Sequence, residues 1–249
     1  MPENTVIPWL DTRLTEKEFN FLKGSITTLK KQRRQREGKH GAGNVSRCDL
    51  VDKDNWFYEN VLKDLTEKMF YRSCINYYED YIEKKTPLPE FGIEHLWGNF
   101  QHQTDHVPLH NHGGIYSFVV FMKIPTHWKE QHIGPTDDVP LGSAASDFAF
   151  VWSGEKNKPC ITHNIFLSPE DEGRMLLFPS WMQHIVYPFY DCEEERITIS
   201  GNINLKKIAM EKIHNPLPDY TKPISQSTSS TQDPEEMKKI MAQFGKRKK

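Results

Sequence analysis

The clearest structural signal in the sequence is the alternating segment Arg196-Ile197-Thr198-Ile199-Ser200-Gly201-Asn202-Ile203-Asn204. Successive side chains of a β-strand point to opposite faces, so the isoleucines share one face and the polar residues share the other. On a surface strand the polar face would meet water. In a jelly roll the same face can line the mouth of the barrel. There Arg196 would offer a planar fork for a carboxylate and Thr198 a hydroxyl donor.

After Pro89 the whole sequence has a β character, because its segments are short, aromatic or β-branched, and separated by Pro, Gly and Asp. The candidate strands are Ile93–Gln101, Ile115–Ile124, Asp147–Trp152, Cys160–Leu167, Gly173–Phe178, Ile185–Phe189 and Arg196–Leu205. Seven strands with turn signals between them predict a mainly β fold, as a sandwich or jelly roll.

The N-terminal third is predicted to be helical. Thr15-Glu16-Lys17-Glu18 is a capping box that would open a helix through about Lys31. Between Asp52 and about Lys85 apolar residues recur every four positions, at Phe57, Val61, Leu65 and Met69. We expect these helices to pack outside one sheet, and residues 1–48 to lie at the periphery of the chemistry.

Length and composition predict the domain organisation. The 249 residues suffice for one well-packed domain over 1–222, with a helical part over 1–90 and a jelly-roll core over 91–210. Residues 223–249 are predicted to be a flexible polar and basic tail, because Ser225–Asp233 has almost nothing to bury and the chain ends in lysine and arginine.

Bulk properties also limit location and partners. The mean hydropathy is −0.69 and the net charge is −2. No apolar run approaches the roughly 18 residues of a membrane span, and the N-terminus lacks the pattern of a signal peptide, so the cytoplasm is the expected location. No global field attracts nucleic acid, so neither a membrane nor nucleic acid is an expected partner.

Two histidines in one segment suggest a metal site. The segment is His106-Val107-Pro108-Leu109-His110-Asn111-His112-Gly113-Gly114. In an extended backbone, positions two apart point to the same side, so His110 and His112 would present imidazoles to one point. Imidazole is the commonest protein ligand for iron, zinc and copper. Two surface histidines on a strand would give the same pattern.

A second segment supplies a third histidine. Residues 172–184 form a turn, an apolar strand, the corner Phe178-Pro179-Ser180-Trp181, and then His184 at the start of the next strand. A buried strand that delivers a histidine at its far corner suits the third ligand of a facial metal site. On the candidate strand Ile93–Gln101, alternation predicts that Trp97, Asn99 and Gln101 all face inward.

Together these segments resemble the Fe(II)/2-oxoglutarate-dependent dioxygenase superfamily, and within it the 2OG-Fe(II) oxygenases of marine bacteria and their phages. The resemblance covers roughly Ile93 to Leu205. Its more specific half is Phe178-Pro179-Ser180-Trp181 with His184, followed by the segment that starts at Arg196. It implies a double-stranded β-helix (jelly roll), Fe(II) as the cofactor and 2-oxoglutarate as the cosubstrate.

The resemblance also implies residue roles. His110 matches the first metal ligand, His184 the distal ligand and Arg196 the binder of the outer carboxylate of 2-oxoglutarate. Thr198 matches the hydroxyl residue two positions after that arginine. We also assign Asn99 and Tyr116 to the cosubstrate, since either Tyr116 or Ser117 should face it. No catalytic residue is assigned beyond the metal site.

The sequence departs from the family at one ligand. The usual set contains a His-x-Asp/Glu pair, and here His112 occupies the carboxylate position. The expected ligands are therefore His110, His112 and His184. A carboxylate from Asp105, or a water molecule, is the alternative for the third position. Asp137 and Asp138 lie in a Pro/Gly-rich loop that could cover the site.

These features favour a hydroxylase that couples decarboxylation of 2-oxoglutarate to hydroxylation of a peptide side chain or a small metabolite, in the host cytoplasm if the chain is phage-encoded. The substrate and the oligomeric state are left open. The alternatives are a cupin-type three-histidine dioxygenase that does not use 2-oxoglutarate, a zinc-dependent cupin-type isomerase or hydrolase, and a non-catalytic jelly-roll module. The polar face that begins at Arg196 and the Phe-Pro-Ser-Trp corner favour the oxygenase.

Overall fold

The computed structural model describes residues 8–35, 44–73, 89–133, 144–153 and 159–206. The helices are α1 Glu16–Gln35, α2 Lys63–Ser73 and α3 Trp128–His132, with a π-helical turn at Tyr58–Leu62 and 3-10 turns at Lys53–Asn55 and Pro169–Asp171. The strands are β1 Leu10–Arg13, β2 Ser46–Asp49, β3 Phe91–Gln101, β4 Val107–His110, β5 Tyr116–Lys123, β6 Phe148–Trp152, β7 Ile161–Ile165, β8 Arg174–Pro179, β9 Gln183–Val186 and β10 Arg196–Leu205.

The strands form two antiparallel sheets. The larger sheet has the order β1-β8-β5-β10-β3-β2, and the smaller has the order β4-β9-β6-β7. The fold is therefore mainly β, a jelly-roll core with N-terminal helices outside it, as the sequence predicts. The long strand β10 lies between β5 and β3, so both of its edges are paired.

Two apolar cores separate the layers. One lies between the sheets and contains Val119, Phe121, Phe148, Phe150 and Phe178. The other joins the outer face of the six-stranded sheet to the helices, and includes Leu22, Leu29, Phe57, Ile197 and Ile199. The expectation that the helices pack outside one sheet is confirmed, because the isoleucines of β10 face the helical side.

The predicted start of α1 is confirmed in detail. The backbone N–H of Thr15 donates to the Glu18 carboxylate at 2.7 Å, and the Glu18 N–H donates to the Thr15 hydroxyl at 3.4 Å. This reciprocal pair is a capping box. The helix runs four residues beyond the predicted end, to Gln35.

The seven predicted strands all occur, most with their bounds shifted by one or two residues. The largest difference is at β9, which is Gln183–Val186 rather than Ile185–Phe189, so His184 lies within the strand. Three further strands, β1, β2 and β4, were not predicted. Each has only four residues, which is too short to show a period.

Some predictions lie outside the described residues. These are the helix continuation to Lys85, Asp137 and Asp138, the domain boundary at residue 222 and the polar tail 223–249. Among the helices of the described residues, none is long and apolar enough to cross a membrane.

Candidate active site

One cavity between the two sheets brings together the predicted site residues. Its walls include His110, His112 and His184 as well as Arg196 and Thr198. Arg196 pairs with Gln101 across β10 and β3, and Ser200 pairs with Trp97, whose ring centroid lies 5.7 Å from that of His112. Four residues of strand span about 13 Å, so Arg196 and the histidines mark two ends of the cavity.

The three imidazoles form a compact cluster. His110 on β4 and His184 on β9 are direct partners in the smaller sheet, and their ring centroids are 4.2 Å apart. One ligand nitrogen from each of the three rings lies within 4.8 Å of the others. No Asp, Glu or Cys of the described residues joins this cluster.

The turn after β4 brings His112 to the cluster. The His112 N–H donates to the carbonyl of Ser180 at 2.9 Å, which ties this turn to the Pro179-Ser180 corner. Gly114 has φ +91°, and a Cβ there would meet the Ile203 carbonyl oxygen at 3.0 Å. Glycine is therefore required at this position, because an L side chain would be strained in that backbone conformation.

Backbone carbonyls fix the orientation of two rings. His110 Nδ1 lies 2.7 Å from the Pro108 carbonyl oxygen, and His184 Nδ1 lies 3.1 Å from that of Met182. A carbonyl oxygen only accepts, so each Nδ1 carries the hydrogen and each Nε2 keeps its lone pair. This arrangement is typical of histidine that ligates a metal through Nε2.

Burial keeps the three histidines neutral. Aromatic rings surround His184, with Phe148 stacked at 5.3 Å and Phe178 at 5.1 Å. Desolvation lowers the pKa of His184 to about 3, and the neighbouring histidines add to the shift. Desolvation also lowers the pKa of His112 to about 4, assisted by the charges of His110 and Arg47, and lowers that of His110. A neutral imidazole is the form that binds a metal.

Arg196 is a fully buried cation that forms no ion pair with a carboxylate of the described residues. Its Nη2 donates to the carbonyl and the hydroxyl of Ser146, and its Nη1 donates to the Gln101 side chain at 3.4 Å. Its Nε has no hydrogen-bond partner among the residues that the structure describes. Desolvation lowers the pKa of Arg196 to about 10, against the opposing charge of Asp147. A buried N–H without a partner is costly, so this edge of the guanidinium is ready for an acceptor.

The polar face of β10 continues toward the histidines. Asn99 donates to the hydroxyls of Thr198 at 3.1 Å and Ser200 at 3.2 Å. Both hydroxyls act as acceptors there, so their own hydrogens can be donated into the cavity. Trp97, Asn99 and Gln101 all line the cavity, which confirms that these three residues face inward.

Tyr116 requires a correction. Its side chain is buried in the core on the helical side, where its ring lies 6.0 Å from that of Phe91, and it does not line the cavity. The reason is the register of β5, in which Ser117, Val119 and Phe121 face the other sheet while Tyr116 faces the helices. Ser117 donates to Asn202 at 3.0 Å.

Asp105 does not join the histidines either. Its carboxylate accepts from the backbone N–H of His102 at 2.9 Å, and it is absent from the cavity wall. Two residues that the sequence did not single out have a place at the site. Ser146 binds Arg196, and Arg47 on β2 lines the cavity, although residues 1–48 were expected to be peripheral. No periodic signal marks either of them.

Comparison with known proteins supports the superfamily. Residues 95–202 match the family model described as "Putative 2OG-Fe(II) oxygenase". This segment contains the three histidines, Arg196 and Thr198. A search of curated proteins found no match.

Solved structures with a similar arrangement include a Pseudomonas putida prolyl-4-hydroxylase, at 11% identity, with 80% of this chain and 93% of that chain covered and a TM-score of 0.49. The viral collagen prolyl hydroxylase of Paramecium bursaria Chlorella virus-1, solved with 2-oxoglutarate, matches at 13% identity, 79% and 96% coverage, and a TM-score of 0.47. HygX from Streptomyces hygroscopicus, solved with nickel and 2-oxoglutarate, matches at 10% identity, 79% and 82% coverage, and a TM-score of 0.45.

The match to the family model spans the sheets that carry the candidate site. Through this jelly-roll core the chain is similar to the Fe(II)/2-oxoglutarate-dependent oxygenase superfamily.

Proposed function

We propose that this oxygenase is a hydroxylase in which His110, His112 and His184 ligate Fe(II) and Arg196 binds the distal carboxylate of 2-oxoglutarate. The substrate would be a peptide side chain or a small metabolite. The observation that carries the proposal is that the histidine cluster and the buried Arg196 line the same cavity. A cosubstrate could therefore contact both at once.

The donor set fits iron. Three neutral imidazoles suit a first-row divalent metal. In His110 and His184 a backbone carbonyl accepts from Nδ1, which leaves Nε2 as the ligating atom. Three protein ligands would leave room on the metal for the keto acid and dioxygen. With His112 in place of a carboxylate, the metal centre carries one more unit of positive charge than the usual facial triad.

The opposite end fits a carboxylate. Arg196 has its partnerless Nε–H there, and Thr198 can donate its hydroxyl hydrogen because that oxygen already accepts from Asn99. Charge-assisted bonds to a carboxylate are stronger than neutral ones, above all in a buried site. The cost of burying Arg196 without a direct counter-ion would then be offset by the cosubstrate.

Iron bound to the histidines would supply, with 2-oxoglutarate and dioxygen, an oxidation that yields succinate and carbon dioxide and inserts one oxygen atom into a C–H bond of the substrate. The protein's own side chains bind, orient and exclude water. Phe121, Phe148 and Phe178 give the cavity an apolar wall, and the main-chain contacts at Pro108 and Met182 hold two ligand rings in place. A fixed geometry and a dry pocket favour productive turnover over side reactions.

Anaerobic spectroscopy tests the proposal. Fe(II) and then 2-oxoglutarate are added to the protein without oxygen, and chelation of the keto acid at iron should give a weak visible charge-transfer band. The band should require higher 2-oxoglutarate concentrations in Arg196→Ala. On admission of oxygen, release of succinate should follow with a substrate panel of peptides and metabolites. Metal binding without any band would contradict the role of 2-oxoglutarate.

One observation favours a second candidate. The cluster contains no carboxylate among the described residues, as in a cupin-type three-histidine dioxygenase that does not need 2-oxoglutarate. Oxygen consumption that depends on iron and a substrate, but not on 2-oxoglutarate, would support this candidate. The Nε–H of the buried Arg196 would then have no evident acceptor, and for this reason the 2-oxoglutarate enzyme is preferred.

A further inference from the structure

A second arginine lies at the histidine end of the cavity. Arg47, on the edge strand β2, has its guanidinium carbon 3.9 Å from the centroid of the Trp97 ring, and both residues line the cavity. The Trp97 ring in turn contacts His112. Arg47 lies outside residues 95–202, which match the family model.

The charge of Arg47 is weakly compensated. Among the described residues its ion-pair partner is Asp49, with 3.8 Å between nitrogen and oxygen, and the side chains of the two are 38% and 76% exposed. An exposed pair at this distance contributes little. A guanidinium stacked on an indole keeps its in-plane N–H groups free to bind an anion with planar geometry.

The cavity as a whole has an excess of positive charge. Its walls carry Arg47 and Arg196, and none of the described residues lining it is Asp or Glu. In the complex proposed above, the charges of Fe(II) and 2-oxoglutarate cancel, and the three histidines are neutral. Both arginine charges on the cavity wall then remain, because no described residue adds a carboxylate to the histidine cluster. A second anion would therefore be attracted to the cavity even when the cosubstrate is bound.

The two arginines are too far apart to bind the same carboxylate group. Arg196 pairs in register with Gln101, whereas the guanidinium of Arg47 lies over Trp97, four residues earlier on β3 and next to His112. A strand rises about 3.3 Å per residue, so the two positions are separated by more than 10 Å along β3. Val45 and Val107 supply apolar wall to the same cavity.

We propose that Arg47, held on Trp97, is a binding subsite for a carboxylate or phosphate group of the substrate. The subsite would anchor an acidic substrate beside the histidine cluster, with its apolar part against the valines. This inference rests on the proposed function for the position of iron and 2-oxoglutarate. It narrows the substrate class to anionic compounds or acidic peptides.

Paramagnetic relaxation offers a test without a known substrate. The protein is loaded with Mn(II) and saturating 2-oxoglutarate, and proton relaxation is measured for benzoate, phenyl phosphate and the neutral benzamide. We expect benzoate or phenyl phosphate to relax at least about fivefold faster than benzamide, because a charge-assisted hydrogen bond would strengthen the binding of the anion. The stronger of the two identifies the preferred anion.

Variants assign the effect to Arg47. Arg47→Gln should abolish the preference for the anions, Arg47→Lys should keep part of it, and all three proteins should relax 2-oxoglutarate equally. Lys129→Gln is the matched control, because Lys129 lies 5.6 Å over the Trp128 ring but does not line the cavity. Two results would overturn the proposal. Arg47→Gln could keep the preference for the anions, or benzamide could relax as fast as benzoate and phenyl phosphate in the parent protein.

Failure of the proposed function gives a different result. In that case 2-oxoglutarate itself would show no relaxation by the metal, in the parent protein and in every variant. Saturation-transfer signals of benzoate and benzamide on metal-free protein then test Arg47 independently. An anion preference lost in Arg47→Gln would still support the subsite, and its absence in the parent would refute it.

Discussion

The two ends of the cavity are built in different ways. The histidine end is assembled from short strands and a turn, since β4 and β9 have four residues each and His112 lies beyond β4. The other end lies on the ten-residue strand β10, where Arg196 is 1% exposed and the strand pairs with both β5 and β3. A change at the histidine end should therefore act on the metal, and a change at the arginine end on both the cosubstrate and the fold.

The largest effect is expected for His184→Ala. His184 is the most buried of the cluster and is oriented by Met182. Loss of an outer-shell contact typically costs 10–100-fold in metal affinity, so loss of a ligand should cost more than about 100-fold. Equilibrium dialysis with Fe(II) should show one ion per chain in the parent and none in the variant. The exposed His106→Ala is the control, and equal loss there would show that the cluster is not the site.

Arg196→Ala should rank second. The variant removes the cation to which a buried carboxylate would bind, and breaking such a pair costs about 3–5 kcal/mol, which corresponds to roughly two to four orders of magnitude in affinity. The concentration of 2-oxoglutarate at half-saturation should rise about a hundredfold or more, while Fe(II) still binds. Circular dichroism must show a folded variant, because Arg196 also bonds Ser146 and Gln101.

Arg196→Lys separates charge from shape. Lysine keeps the charge but lacks the planar fork, so we expect partial recovery of the affinity for 2-oxoglutarate. If Arg196→Ala binds 2-oxoglutarate as well as the parent, the assignment of Arg196 fails. Thermal unfolding of both variants shows how much of the change is structural.

The same contrast explains what the sequence could predict. β3 and β10 are long enough for their side chains to alternate strictly between the two faces of the sheet. The inward positions of Asn99, Thr198 and Arg196 could therefore be predicted, because residues two apart on a strand share a face. His110 and His184 followed from spacing and from the corner between β8 and β9. Tyr116 was assigned wrongly, because after the glycine pair the sequence does not show which residues of β5 face the cavity. The actual register places Ser117 on the inner face.

Other parts of the site depend on long-range contacts without a local pattern. Arg47 reaches the cavity because β2 pairs with β3, and a four-residue strand gives no periodic signal. Ser146 meets Arg196 across 50 positions, in a backbone conformation with φ +72° that a serine rarely adopts. Such a residue can be recognised only once the tertiary structure is known.

Ser146→Ala should have a moderate effect at the arginine end. The substitution keeps the carbonyl that accepts from Arg196 but removes the hydroxyl, and a hydrogen bond to a charged group contributes about 1.5–3 kcal/mol. A less firmly held guanidinium should raise the KM for 2-oxoglutarate about tenfold with little change in kcat. Steady-state succinate release measures both values. Thr12→Ala on the remote edge strand β1 is a control, and an equal rise there would point to a general loss of stability.

The smallest expected effect is a pH dependence of the metal-free protein. His184 and His112 have pKa values of about 3 and about 4 in the fold, against an ordinary value of 6.5. A lowered pKa in the folded state contributes stability above pH 6.5, and this contribution is lost as the pH falls toward 4, because the unfolded chain takes up protons first. The thermal midpoint should fall on the order of 5 °C between pH 7 and pH 5.

A substitution at His184 tests this origin. In His184→Phe the new ring would replace an imidazole that already stacks on Phe148 and meets the edge of Phe178, and phenylalanine cannot titrate. The variant should therefore unfold at a midpoint that depends less on pH than that of the parent. Differential scanning calorimetry of both proteins after chelator treatment gives the comparison. Parallel pH profiles would mean that other groups cause the loss of stability at low pH. The residue with the most strongly lowered pKa of the cluster would then have been removed without any effect.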